Sequence, residues 1–130
     1  MKKEEIITVI IMCIIITIDI ITQKHLDSAV GTTSGKLEHL KQKIISQEEI
    51  SDEELEKDVE DIYDEWKQKC KELSFFIEHD GMEEVDLNLE KAKTQIKTGQ
   101  KEEAAAEINE GIYKLSYIKN KQKLNWSNIF

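Results

Sequence analysis

The side chains with the most obvious chemical potential are acidic and crowded together. Between Glu48 and Glu65 stand eleven carboxylates and one lysine, Lys57. On a helix the pairs Glu54/Asp58, Glu56/Glu60 and Asp61/Glu65 lie four apart, and each pair repels by roughly 0.2–0.5 kcal/mol. A face of that sign steers a lysine-rich partner and speeds its association in a salt-sensitive way. Glu53, Glu56, Glu60 and Asp64 are the candidate partner-binding residues on this reading, set against the plainer one of a solvated helix face. Calcium fits poorly, because there is no Asp-x-Asp-x-Asp-Gly loop and a straight helix spaces its carboxylates badly around one ion.

The other chemistry is sparse. His79 has Glu78, Asp80, Glu83 and Glu84 beside it, the best setting in the chain for a metal or for proton transfer. Helix-bundle di-iron sites need Glu-x-x-His; the residue three before His79 is Phe76, and three before His39 is Lys36. Cys70 has lysines at 67, 69 and 71, but adjacent helix positions do not share a face, so they are poorly placed to activate it. Cys13 and Cys70 make no disulfide framework. No glycine-rich loop cradles a phosphate. No catalytic, cofactor-binding or metal-ligating residue is assigned, and the chain is expected not to be an enzyme.

Charge removes another class. All 18 basic residues are lysine, there are 27 acids, and the net charge is −9. Beyond residue 25 the count is 24 acids against 15 lysines. Phosphate backbones repel such a domain, and it lacks the arginines that read guanine edges, so no nucleic-acid binding is expected.

These residues must be positioned by helices, one of them apolar on every side. Residues Ile6–Thr22 form an apolar run broken only by Thr8, Thr17 and Asp19, with ten isoleucines between Ile6 and Ile21. As a helix the run spans about 25 Å, short of a ~30 Å hydrocarbon core but workable with local thinning. A retained single-pass anchor is expected, with lipid contact through residues 6–22. The competing readings are a cleaved signal peptide with Ala29-Val30-Gly31 as its processing site, and a buried helix of a soluble protein. Lys2 and Lys3 before the run, against Lys24 just after it, favour a cytoplasmic N-terminus in a cell membrane and a C-terminal domain outside the cytoplasm.

Gly31-Thr32-Thr33-Ser34-Gly35 reads as a hinge or helix break. Leu37, Leu40, Ile44 and Ile45 then stand at helical spacing. Ser51-Asp52-Glu53-Glu54 is a capping box, opening the stripe Leu55, Val59, Ile62, Trp66, Cys70, Leu73 and Ile77, which stops at His79-Asp80-Gly81. Met82, Val85, Leu89, Ala92 and Ile96 make the next helix, ending at Thr98-Gly99. Ala104, Ala105, Ile108, Ile112, Leu115 and Ile118 make the last. Asn120–Phe130 lacks a helical pattern, yet its Leu124, Trp126, Ile129 and Phe130 suit a packed tail. No strand is found. The expected fold is all-α: one N-terminal transmembrane helix, then an antiparallel bundle of three to four amphipathic helices. Residues 1–25 are the anchor, 26–35 the hinge and 36–130 the helical domain. The aromatics lie mostly at stripe or stripe-edge positions, and Trp66 at the centre of its stripe is expected to be buried.

Several segments together carry a resemblance. They are the lysine-led apolar start, Trp66-Lys67-Gln68-Lys69-Cys70-Lys71-Glu72-Leu73-Ser74, Phe76-Ile77-Glu78-His79, the alanine-rich Glu102-Glu103-Ala104-Ala105-Ala106-Glu107, and the closing Ser127-Asn128-Ile129-Phe130. In these the chain resembles a domain-of-unknown-function family, number forty-three sixty-three, of small bacterial membrane proteins. The resemblance implies an anchored helical domain and supplies no activity. Gly31–Gly35 departs from it, since the family pattern implies unbroken helix there. The expected function is a membrane-anchored, extracytoplasmic protein-interaction module with a basic protein partner. Its rivals are a small-ligand sensor or enzyme with a site between the helices, and a structural homo-oligomer.

Overall fold

A computed structural model of the chain describes residues 2–46, 49–73 and 79–129, with the side chains of residue 79 and of residues 122–129 outside the description. It contains four α-helices: α1 (Lys3–Ile45), α2 (Asp52–Leu73), α3 (His79–Lys97) and α4 (Lys101–Ile129). Among the described residues there is no strand.

The 43 residues of α1 form one helix, about 65 Å long at 1.5 Å per residue. Its first half is long and apolar enough to cross a membrane, with a mean hydropathy of 2.5 over an 18-residue window and none of that window buried. Its second half buries one stripe, Leu26, Ala29, Val30, Thr33, Leu37 and Leu40. The expected break at Gly31–Gly35 is therefore not formed. Glycine costs a helix about 1 kcal/mol against alanine, and burial of this stripe on both sides of the two glycines outweighs that. The packed region starts at Leu26, so residues 26–35 belong to the helical domain and not to a hinge.

The serine half of the capping box is formed: the backbone N–H of Glu54 donates to Ser51 Oγ at 3.2 Å, satisfying one of the first-turn donors. α2 then seats Leu55, Val59, Ile62, Trp66 and Leu73 in the core. Its described residues run to Leu73; the proposed continuation through Ile77 lies outside the described residues. Gly81 sits in the first turn of α3 and does not terminate α2. A Cβ there would meet Ile118 Cγ1 at 3.3 Å, so glycine permits the close approach of α3 and α4 at that level. Gly99 is the true helix stop. Its φ is +77°, Gln100 N–H donates to the Gln95 carbonyl at 2.7 Å and Gly99 N–H to that of Ile96 at 3.2 Å, a Schellman closure. Beyond it α4 continues through Asn120 to Ile129, where no helix was expected. Lys119–Lys123 carry no proline or glycine to stop it, and a run of lysine, asparagine and glutamine hides a helix from any apolar pattern.

Each helix packs on two others: α1 on α2 and α4, α3 on α2 and α4. On α1, Lys36 pairs with Glu65 and Lys43 with Asp58 of α2. On α2, Glu56 meets Lys97, Glu60 meets Lys93 and Lys67 meets Asp86 of α3. Rising numbers on one helix face falling numbers on the next. The core they enclose is largely apolar, with Trp66, Leu37, Leu40, Leu55, Leu89, Ile96, Ile108 and Leu115 fully buried and polar Thr33 and Asn88 buried among them.

Candidate functional site

The acidic helix α2 is less bare than its sequence suggests. Asp52 is 3.0 Å from Lys101 Nζ, Glu56 is 3.2 Å from Lys97, Asp58 is 3.0 Å from Lys43 and Glu60 is 3.2 Å from Lys93. Glu65 pairs with both Lys36 and Lys69. Lysines from α1, α3 and α4 thus flank the carboxylates. Exposed pairs of this kind each contribute about 0–1 kcal/mol, so their role is to offset repulsion along α2 and to match it to its neighbours. The Lys36 ammonium holds the Glu65 carboxyl below the ordinary glutamate range. Asp86, hydrogen-bonded to Lys67, holds that ammonium above the ordinary lysine range.

The four candidate partner-binding residues therefore divide. Glu56 is half-buried against α3 and Glu60 is at the edge of the same contact, both engaged by lysine. Glu53 and Asp64 are exposed and carry no ion pair among the described residues. Exposed Glu54 and Asp61 share that state. Among the described residues of α2 as far as Glu65, what reaches solvent unpaired is a ridge of four carboxylates, narrower than the eleven-acid segment, and exposed Glu49 precedes the helix. The missed residues are the lysines. Their signal was present in the sequence as Lys36/Lys43 and as Lys93, Lys97 and Lys101 at four-residue spacing, but nothing local says which helix they face.

Between α1 and α2 lies a groove of about 440 Å³, floored by Gly31, Gly35 and Leu40 and rimmed by His39, Asp61 and the Lys36–Glu65 and Lys43–Asp58 pairs. Neither glycine has an atom within 4 Å of where a Cβ would stand. The groove's ionic groups mostly answer one another across it. His25 and His39 are both exposed on α1, about 21 Å apart along its axis; the side chain of His79 lies outside the described residues. Among the described residues no three histidine, cysteine, aspartate or glutamate side chains group closely enough to hold a metal. Cys70 is half-buried, and burial pushes its thiol up to about 12, the opposite of an activated nucleophile.

A long apolar helix continuing into a lysine-matched helical domain defines a class, all-helical with one candidate membrane span. The family model described as Domain of unknown function (DUF4363) matches residues 20–129, and the chain belongs to that family. No curated protein and no solved structure matches the chain.

Proposed function

We propose that this is a single-pass membrane protein whose apolar half of α1 anchors an antiparallel, up-down-up-down four-helix bundle outside the cytoplasm. The bundle acts as a non-enzymatic protein-interaction module. The observation that carries the anchor is the contrast within one helix: side chains open all round before residue 25, a one-sided buried stripe after it. The two threonines in the run are compatible with lipid. Thr8 and Thr17 donate their hydroxyls to the carbonyls of Glu4 and Cys13, at 2.9 and 2.8 Å, so neither needs water. The alternating ion pairs between neighbouring helices support the up-down order.

The interaction surface in this reading is the outward ridge of α2, Glu53 and Asp64 foremost, with Glu56 and Glu60 shared between α3 and the partner. α2 starts at the end of α1 remote from the apolar run, so the ridge stands clear of anionic lipid and is open to a lysine-rich protein. The test has two parts. The full chain should stay in the membrane pellet through high salt and carbonate, with its N-terminus intact; residues beyond 31 recovered free in the medium would establish a signal peptide. The partner is then captured by affinity from that membrane. Glu53, Glu56 and Glu60→Gln with Asp64→Asn should weaken capture while the domain still melts cooperatively. Capture unchanged by this variant and by salt would reduce the ridge to solvation.

A further inference from the structure

The last ten residues of α4 sit in an unusual place for their composition. Leu37 Cδ1 lies 4.0 Å from where a Cβ of Gly111 would stand, and Lys41 Nζ is 3.3 Å from Asn109 Oδ1. These two contacts set α1 and α4 in register with opposite numbering. Both helices rise about 1.5 Å per residue. Carried down the pair, that register brings Trp126 level with Gln23 and Ile129 level with Ile20, where the apolar run of α1 ends. α4 is helical through Ile129, so its final turns extend past the core, which starts at Leu26 on α1, to the edge of the candidate span.

Charge changes along the same helix. Residues 101–110 contain four acids and one lysine; residues 111–130 contain Lys114, Lys119, Lys121 and Lys123 and no acid. In a chain of net charge −9, this basic stretch is followed at once by Leu124-Asn125-Trp126-Ser127-Asn128-Ile129. Lysines next to tryptophan and isolated apolar residues suit the headgroup layer, where an amphipathic ring is stabilised and cations meet anionic lipid. The acidic ridge of α2 begins at the opposite end of the domain, at Glu53, and reaches its middle at Asp64, whose neighbour Glu65 pairs with Lys36.

We propose that the C-terminal turns of α4, from Lys119 to Ile129, form a second membrane contact at an anionic headgroup layer. This rests on the anchored reading of α1 and adds to it: the domain is held to the bilayer at two points. The test uses the full chain in phosphatidylcholine–phosphatidylglycerol vesicles. Trp66→Phe leaves Trp126 as the sole tryptophan. Its emission should be blue-shifted, and lipids brominated near the glycerol backbone should quench it more than lipids brominated near the chain ends. Should Trp66→Phe disturb the fold by circular dichroism, the difference between wild type and Trp126→Phe gives the same readout. Lys119, Lys121 and Lys123→Gln should reduce quenching in the anionic vesicles. Water-like emission without bromine quenching, in a chain that resists carbonate extraction, overturns the second contact and leaves the anchor standing. A chain that carbonate releases overturns the anchor, and the contact with it.

Discussion

In the first half of α1, Ile7, Ile14 and Ile21 each leave more than half of their surface open; in the second half Leu37 leaves none. One continuous helix joins them. From Ile6 to Thr22 apolar side chains point in every direction, broken only by Thr8, Thr17 and Asp19, so no single face calls for a neighbouring helix to bury it. After residue 25 the apolar residues return every three or four positions, and the rest are polar. Such a helix has a preferred side and is completed by α2 and α4. The two halves differ in how their apolar side chains are spaced, not in backbone.

The largest expected effect belongs to the packed half and its neighbours. Trp66 is fully buried, and Trp66→Ala should cost about 3–5 kcal/mol, much of what a small domain has. A melting midpoint that barely moves would place Trp66 outside the core. The mirror experiment is in the other half. Ile14→Lys should lower membrane retention, a charge at the centre of a span costing about 2.5–3.5 kcal/mol on insertion. The melting of the helical domain in mild detergent should be unchanged. A fall in that melting would show that residue 14 packs on protein.

Smaller effects sharpen the boundary between the halves. Gly31 and Gly35 are helical with open space around each Cα. Gly31→Ala and Gly35→Ala should each stabilise the domain by up to about 1 kcal/mol; destabilisation would mean that the segment must bend. Gly99→Ala should go the other way by about 1 kcal/mol, because its φ of +77° is unfavourable for a side chain. The smallest effect is a pH dependence. The folded Glu65 carboxyl is held below its ordinary value of 4.5 by Lys36. Its contribution is therefore full above the unfolded value and is lost as pH falls through the folded one. Glu65→Gln should flatten the acid limb of a stability profile slightly, since the pair is exposed and screened. A limb as steep as that of the wild type would assign acid sensitivity to other carboxylates.

The apolar run, the Ser51 cap, the α2 stripe from Leu55 to Leu73 and the stop at Gly99 were legible because each rests on local chemistry: hydropathy, a hydroxyl at the right offset, apolar spacing, a residue tolerant of positive φ. The misreadings have the reverse character. Gly31–Gly35 looks like a break locally and is helical because Leu26, Ala29, Val30, Leu37 and Leu40 pack around it. Gly81 looks like a stop and is a point where Ile118 comes close. α4 beyond Asn120 has too few apolar residues to announce itself. The acidic segment was visible as charge, but its division into paired and unpaired carboxylates depends on lysines brought from three other helices. The family supplies no activity against which to read the ridge.

The absence of a break in α1 has a mechanical consequence. A span joined to its domain by a flexible tether lets the bilayer rock without moving the cargo. With a stiff rod in place of the tether, the domain follows the lipid. Spans adjust to bilayer thickness by tilting through about 0–40°. Ile45 stands about 35 Å beyond Thr22, so a change of about 10° within that range would swing it sideways by roughly 6 Å. On the anchored reading, the far end of the molecule, where the acidic ridge begins, is a pointer whose position registers the thickness of the membrane below.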